Sequence, residues 1–271
     1  MNYQIKPHCI GLNQVERIDI ETINNWINKK MLYFKLWGFK PDDMQDNNIK
    51  KEIENAHKRM FEWAKTQCSP SISYGIFPCQ TDKDMIMIYK KKDSCENCVA
   101  CNLLSTSADN VLKVLFFERD QEHNISICDY FNTVNSGVID FLGCQVVTLG
   151  DKPVQFAKQL NDENQYQDYF YWHGYCSALT EALAAFTHGK IRKEMGIAKE
   201  NETIEDEWTM NYRSRRYSFG YSWSTDMSEQ FKVLDILKAK DMGIIMNESD
   251  ELEPEFSTCA LVIHHPEAKY W

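Results

Sequence analysis

The longest helical signal, over residues 165–195, does most to limit what this chain can fold into. Leu179, Ala182, Leu183 and Phe186 recur at i, i+3, i+4 and i+7, an apolar stripe that must be buried against another layer. Residues 20–37 carry Ile20, Ile23, Ile27, Met31 and Phe34 at helical spacing, and residues 49–67 set Ile53, Ala56, Met60 and Trp63 on one stripe. Elsewhere the period changes. Residues 71–79, 84–90, 111–117 and 144–150, rich in β-branched and aromatic side chains, predict strands, as do 243–247 and 258–265. A short helix is predicted after the aromatic segment at 213–223, opened by a capping box of Asp226 with Glu229 three residues on. Helices mixed with non-alternating strands predict an α+β fold on an antiparallel sheet rather than a doubly wound βαβ fold. There is no internal repeat, and no glycine-rich phosphate loop follows a strand.

Composition narrows the function classes. A net charge of -10 excludes the basic face that nucleic-acid backbones require; "RSRR" and "HGKIRKE" are too small to track one. No run of 18 apolar residues exists to form a membrane helix. The opening residues lack the cationic-then-apolar order of a signal peptide, so the expected location is the cytoplasm. In that compartment the ten cysteines read as mostly buried thiols, with metal or redox use where they cluster.

Four places hold residues with chemical potential. "RSRRYSFGYSW" (213–223) reads as a loop. The fork of Arg216 matches a carboxylate, Gly220 leaves backbone open to a ligand, and Phe219, Tyr221 and Trp223 offer faces to a flat ring. The same segment also reads as an ordinary surface loop whose arginines pair with acidic neighbours. Glu181, His188 and Arg192 share one ridge of the long helix, by default a solvated ion-pair face with a hydrogen-bonded histidine. His264 and His265 should point to opposite faces of a strand and so do not chelate one metal. "CENCVAC" places Cys95, Cys98 and Cys101 on one stretch, as iron–sulfur and zinc sites do, with Cys79 or Cys128 as a fourth ligand. A reactive dithiol and incidental cysteines are the alternatives there. No Ser-His-Asp, Cys-His or paired-carboxylate arrangement has a local signature.

Taken in order, these segments resemble the activation (reactivation) domain of cobalamin-dependent methionine synthase, here as a free-standing protein. "RYSFGYS" resembles that family's R-x-x-x-G-Y loop, "SALTEALAAFTHGKIRKEMG" (177–196) its long helix, and "HPEAKYW" (265–271) its H-P-[DE]-x-K-Y-[YFW] ending. Weaker matches are "IETINNWINKKMLYFKLWG", "GIFPCQTDKDMIMIY" and "SGVIDFLGCQVVT". The resemblance implies a single C-shaped α+β domain over residues 1–271, with a twisted antiparallel sheet, flanking helices and a cysteine-containing insertion at 91–110. It implies a subunit that binds S-adenosylmethionine and supports reductive methylation of cob(II)alamin. The cobalamin would be carried by a partner, methionine synthase or another corrinoid protein, and the electron supplied by a flavodoxin-type reductant. The alternative is a docking module that caps a corrinoid protein without donating a methyl group.

Carried over by position, the resemblance implies S-adenosylmethionine contacts at Arg216, Ser218 (through its backbone), Gly220, Tyr221, Tyr270 and Glu181, with His188 as a corrin-facing candidate. Asn28 stands where the family has an aspartate for the ligand's ammonium. "CENCVAC" is foreign to the family pattern, and this loop carries less proline.

Overall fold

The structure, a computed structural model, describes residues 3–13, 15–91 and 108–271. Two miniature strands, β1 (Gly11–Leu12) and β2 (Glu16–Arg17), precede helix α1 (Ile20–Asn24). Asp19 caps α1 by accepting from the Thr22 N–H at 3.0 Å. The helix predicted across 20–37 is interrupted: after α1 the chain turns and resumes as a π-helical segment, Met31–Leu36, whose wider turn departs from the 3.6-residue period. Helix α2 (Asn47–Gln67) is capped by Asp46 and buries Ile53, Ala56, Met60 and Ala64, close to the predicted stripe.

Strands β3 (Ser71–Asp82) and β4 (Met85–Tyr89) form a hairpin, and β5 (Val111–Phe116) lies beside β4. Then come β6 (Asp140–Thr148), α3 (Lys152–Asp162), the 29-residue α4 (Tyr166–Glu194) and short α5 (Ile204–Trp208). The chain continues through β7 (Arg215–Ser218), α6 (Ser228–Ile236), β8 (Ile245–Met246), β9 (Leu252–Glu253) and β10 (Ser257–Ile263). The main sheet runs β5-β4-β3-β6-β10-β7, antiparallel at each pairing along that path, with β1 and β2 also paired to β3.

The sheet is covered on both faces. Ile72, Tyr74, Ile76, Val147 and Val262 join Leu179, Leu183 and Ile191 of α4 in one core. Cys79, Leu142, Cys144, Val146 and Leu261 join Tyr217, Val233 and Leu234 in the second. Double burial removes the polar face, which is why the central strands do not alternate in sequence. Each fully buried aliphatic side chain contributes roughly 1.5–3 kcal/mol, so both cores, strands and covering helices together, carry the fold's stability. Helix α4 lies very close to the sheet at Gly143. A Cβ there would stand 2.8 Å from Val262 Cβ and 3.0 Å from both Ile191 and Met195.

Three local expectations change. Asp226 accepts from the Ser228 N–H at 2.9 Å, but Glu229 does not complete a capping box. Its carboxylate turns instead to the Phe116 N–H at 3.0 Å and Lys232 at 2.6 Å, binding α6 to the β5 edge. The strand predicted at 243–247 shrinks to β8, which pairs only with β9 in a separate two-stranded ribbon. Cys95, Cys98 and Cys101, and most of the predicted insertion at 91–110, lie outside the described residues. The fourth-ligand candidates Cys79 and Cys128 sit in the second core, where burial pushes the Cys128 thiol up to about 12 and that of Cys79 well above its usual range. Both are held as neutral thiols, the opposite of what a metal thiolate needs. Among the described residues no group of three His, Cys, Asp or Glu side chains converges as a metal site, and no helix is long and apolar enough to cross a membrane.

Candidate functional site

The segment 213–223 is half strand and half turn. Residues 215–218 form β7, an edge strand in register with β10 through Val262↔Arg216 and Ala260↔Ser218. Strand alternation sends Tyr217 into the second core and leaves Arg216 on the α4 side. There its guanidinium meets the carboxylate of Glu181. Arg216 is largely covered, with 16% of its side chain exposed, whereas Glu181 is half exposed. Burial opposes its charge, but the Glu181 ion pair together with Glu207 and Tyr270 lifts the Arg216 pKa above the ordinary arginine value. Nη1 of Arg216 is buried and has no hydrogen-bond partner among the described residues. Such a donor costs free energy until an acceptor arrives.

Beyond β7 the chain turns at Gly220, whose φ of +85° favours glycine. The Gly220 N–H donates to Ser224 O at 2.9 Å, and the Ser224 N–H donates to Tyr221 O at 2.8 Å. Above Gly220 the first atom a side chain would meet is Met227 Sδ, 3.6 Å away. Tyr221 stacks on Trp223 at 4.8 Å and 16°, and Trp223 lies 5.2 Å from the Tyr270 ring. Trp223 is buried and donates through Nε1 to Ser218 O at 2.7 Å, while Tyr221 and Tyr270 remain 57% and 42% exposed. The result is a partly open aromatic wall beside a charged fork.

The C-terminal tail fastens this wall. The Tyr270 hydroxyl donates to Arg216 O at 2.9 Å, the Tyr217 hydroxyl to Lys269 O at 2.7 Å, and the Ser222 hydroxyl to Trp271 O at 2.7 Å. Further back, His264 is buried against Asp140 at 2.6 Å, while His265 is only partly buried and packs by Tyr3 and Tyr130. Both histidines lie just past the end of β10, so strand alternation does not set their directions, and their partners differ. Lys269 and Trp271 belong to the "HPEAKYW" motif, but their backbone carbonyls as acceptors for Tyr217 and Ser222 leave no mark in the sequence.

The ridge of α4 is not the solvated face its spacing suggests. Only Glu181 is exposed; His188 and Arg192 are each 1% exposed. Residues between α4 and β7 cover them, supplying Glu202, Glu207, Tyr212 and Ser214. Arg192 pairs with Glu202 and with Glu207 at 2.6 Å and lies 4.0 Å over the Tyr212 ring. His188 Nε2 is 2.9 Å from the Ser214 hydroxyl, and Nδ1 is 3.5 Å from Glu207. Burial pushes His188 down to about 4, so it is neutral at pH 7. With ionised Glu207 able only to accept, Nδ1 carries the proton and Nε2 accepts from Ser214. His188 is therefore enclosed behind the surface of this chain. Asn28, the remaining candidate, uses its side-chain oxygen to accept from the Met31 N–H at 3.2 Å, opening the π-helical segment.

Comparison with known proteins places this geometry. The sequence matches the family described as vitamin B12 dependent methionine synthase, activation domain, over residues 19–271. It is 32% identical over 214 residues to the methionine synthase of Mycobacterium tuberculosis and 30% identical over 213 residues to that of Mycobacterium leprae. Each alignment covers 74% of this chain and 17% of the relative, so the chain corresponds to a small part of the length of those enzymes. Its fold matches a crystal structure of the MetH reactivation domain bound to AdoHcy, with a TM-score of 0.82 and 23% identity over 99% of this chain and 83% of that one. The family match over residues 19–271 and the shared fold agree: the chain belongs to the vitamin B12 dependent methionine synthase activation-domain family.

Proposed function

We propose that the chain binds S-adenosylmethionine along β7 and the Gly220 turn and presents it to a cobalamin-carrying partner for reductive methylation. The observation that carries this reading is Arg216: a covered cation with one unpartnered N–H donor, set against an acidic neighbour and an open aromatic wall. An α-amino acid end is a zwitterion and complements such a pair. Its carboxylate takes the free edge of the Arg216 fork, and its ammonium takes Glu181. Gly220 lets the ligand approach the backbone, Ser218 lends its carbonyl edge, and the exposed faces of Tyr221 and Tyr270 pack on the flat base. S-adenosylmethionine supplies the activated methyl group; the residues here bind and align it. No general acid or base is needed, and placement alone is worth many orders of magnitude in rate.

The partner in this reading is a methionine synthase or another corrinoid protein, and the reductant a flavodoxin-type electron donor. The test is transfer of label from methyl-labelled S-adenosylmethionine to cobalamin on a methionine synthase stripped of its own activation domain, with a chemical reductant. Label incorporation that depends on this chain supports the reading, and incorporation at the level of a chain-free control contradicts it.

One observation favours the second reading, a docking module without methyl donation. Asn28 brings no charge toward a ligand ammonium and is engaged as a helix cap. Corrinoid-protein binding without S-adenosylmethionine binding would support it.

A further inference from the structure

A groove of about 820 Å³ runs between the start of α3, the β8–β9 ribbon and the open end of β10. Ser218, Phe219 and Met227 form part of its wall, so it adjoins the site above, but Arg216, Glu181, Tyr221 and Tyr270 do not line it. Its charge is one-sided. Asp151 stands on one side, and Asp250, Glu251, Glu253 and Glu255 on the other; no lysine, arginine or histidine is among the described residues that line it. Glu255 has a partner in His173 at 2.8 Å, and Glu253 accepts from Asn247 at 3.1 Å.

Acidic side chains alone are an ordinary solvated surface, but Gln230 makes this groove different. It sits in the first turn of α6, is 5% exposed, and lines the groove; its carboxamide has no hydrogen-bond partner among the described residues. Its carboxamide is not sealed into the core without a partner; it is reached from the groove, where a ligand can meet it. The floor beside it is apolar, made by Val154, Phe219, Met227, Leu252 and Pro254. β7 ends opposite Ala260, so Ser257, Thr258 and Cys259 of β10 run past it along the groove.

The spacing of the carboxylates selects the ligand class. They do not converge as a metal site among the described residues, which argues against one compact divalent ion. Several separated negative charges over an apolar floor suit a cation whose charges are also separated by apolar stem. The volume lies within the range of small-molecule sites. We propose that this groove binds a linear aliphatic polyamine, with its methylenes on the apolar floor, its ammonium groups on the carboxylates and one N–H donor on the Gln230 carbonyl. The proposal does not rest on the S-adenosylmethionine reading.

The test is calorimetric titration of the full chain with spermidine at fixed physiological ionic strength. Wild type should show saturable 1:1 binding. The doubly substituted Asp250→Asn, Glu253→Gln chain should bind at least tenfold more weakly, whereas Glu52→Gln with Glu54→Gln, an equal charge change on the exposed face of α2, should not change affinity. Gln230→Leu, which changes no charge, should weaken binding three- to tenfold; Gln230→Glu should restore or tighten it, which guards against a folding effect. S-adenosylmethionine affinity should be unaffected by the groove substitutions. No saturable binding, equal weakening by the α2 pair, or full displacement by magnesium at matched charge would reduce the groove to a diffuse acidic surface. Tighter, Gln230-dependent capture of a lysine-rich peptide than of spermidine would assign it to a protein partner instead. Each of these results overturns the proposal.

Discussion

Arg216 on the edge strand β7 and Glu181 on α4, 35 residues apart in sequence, form a direct ion pair, yet one edge of the guanidinium stays buried without an acceptor among the described residues. The pair orients the fork without saturating it. An arriving carboxylate therefore gains a charge-assisted bond to a donor that already carries the cost of desolvation. Arg216→Lys keeps the charge but removes the planar fork. It should weaken S-adenosylmethionine binding by about 1.5–2.7 kcal/mol, roughly 10- to 100-fold, with little change in Tm. Isothermal calorimetry and a thermal melt on the same sample check both parts.

Asn28→Asp should tighten S-adenosylmethionine binding. The new carboxylate still accepts from the Met31 N–H and adds a charge for the ligand ammonium, worth about 1–2 kcal/mol or roughly five- to thirtyfold. Unchanged affinity would show that position 28 does not reach the ligand.

Tyr221 separates binding from folding. With 57% of the residue exposed and its ring on Trp223, it contributes mainly to the outer wall. Tyr221→Ala should lower Tm by no more than a few degrees while weakening S-adenosylmethionine several-fold, since an aromatic stack contributes about 1–3 kcal/mol per base. Equal losses of stability and affinity would make it a structural residue.

Acid should destabilise the fold through two buried histidines. Burial, helped by Lys29, pushes His57 down to about 4, and burial also takes His188 to about 4, from the ordinary 6.5. The unfolded chain then binds more protons between those values. The stability each contributes is complete above about pH 6.5 and is lost as pH falls toward 4, up to about 3 kcal/mol per histidine. Replacing His57 with Gln, which retains polar contact with Tyr33 and Asn24, should flatten that slope in urea unfolding curves across pH 4–7.

Gly143→Ala should cost about 1–3 kcal/mol, because its Cβ would press Val262 and the Ile191–Met195 turn of α4 off the sheet. A thermal melt reads this directly, and a Tm within a degree of wild type would mean α4 can shift.

Much of this arrangement was legible in sequence because its signals are local. The α4 stripe, the α2 stripe and the central strands follow from periodicity and β-branched content, and Arg216, Gly220, Tyr221 and Tyr270 were recognisable by residue type and family pattern. What escaped depends on distant partners. β7 is four residues long and holds two arginines, so only its ladder with β10 makes it a strand. Arg192 read as solvated, and His188 as a hydrogen-bonded histidine only partly buried, because helix spacing cannot show that Glu202, Glu207 and Ser214 fold back over them. Glu229 looked like a cap residue, but the β5 edge holds its carboxylate instead. The buried set of Tyr33, His57, Asn24 and Tyr175 left no trace in any one stretch, since its members come from separate segments.

The most direct measurement is calorimetric titration of the wild-type chain and Arg216→Ala with S-adenosylmethionine. The account expects saturable 1:1 binding by the wild type and its loss, by at least tenfold, in a variant that still melts cooperatively near the wild-type temperature. Wild-type binding that survives in Arg216→Ala, or no binding by the wild type, would contradict the assignment of β7 and its turn as the site.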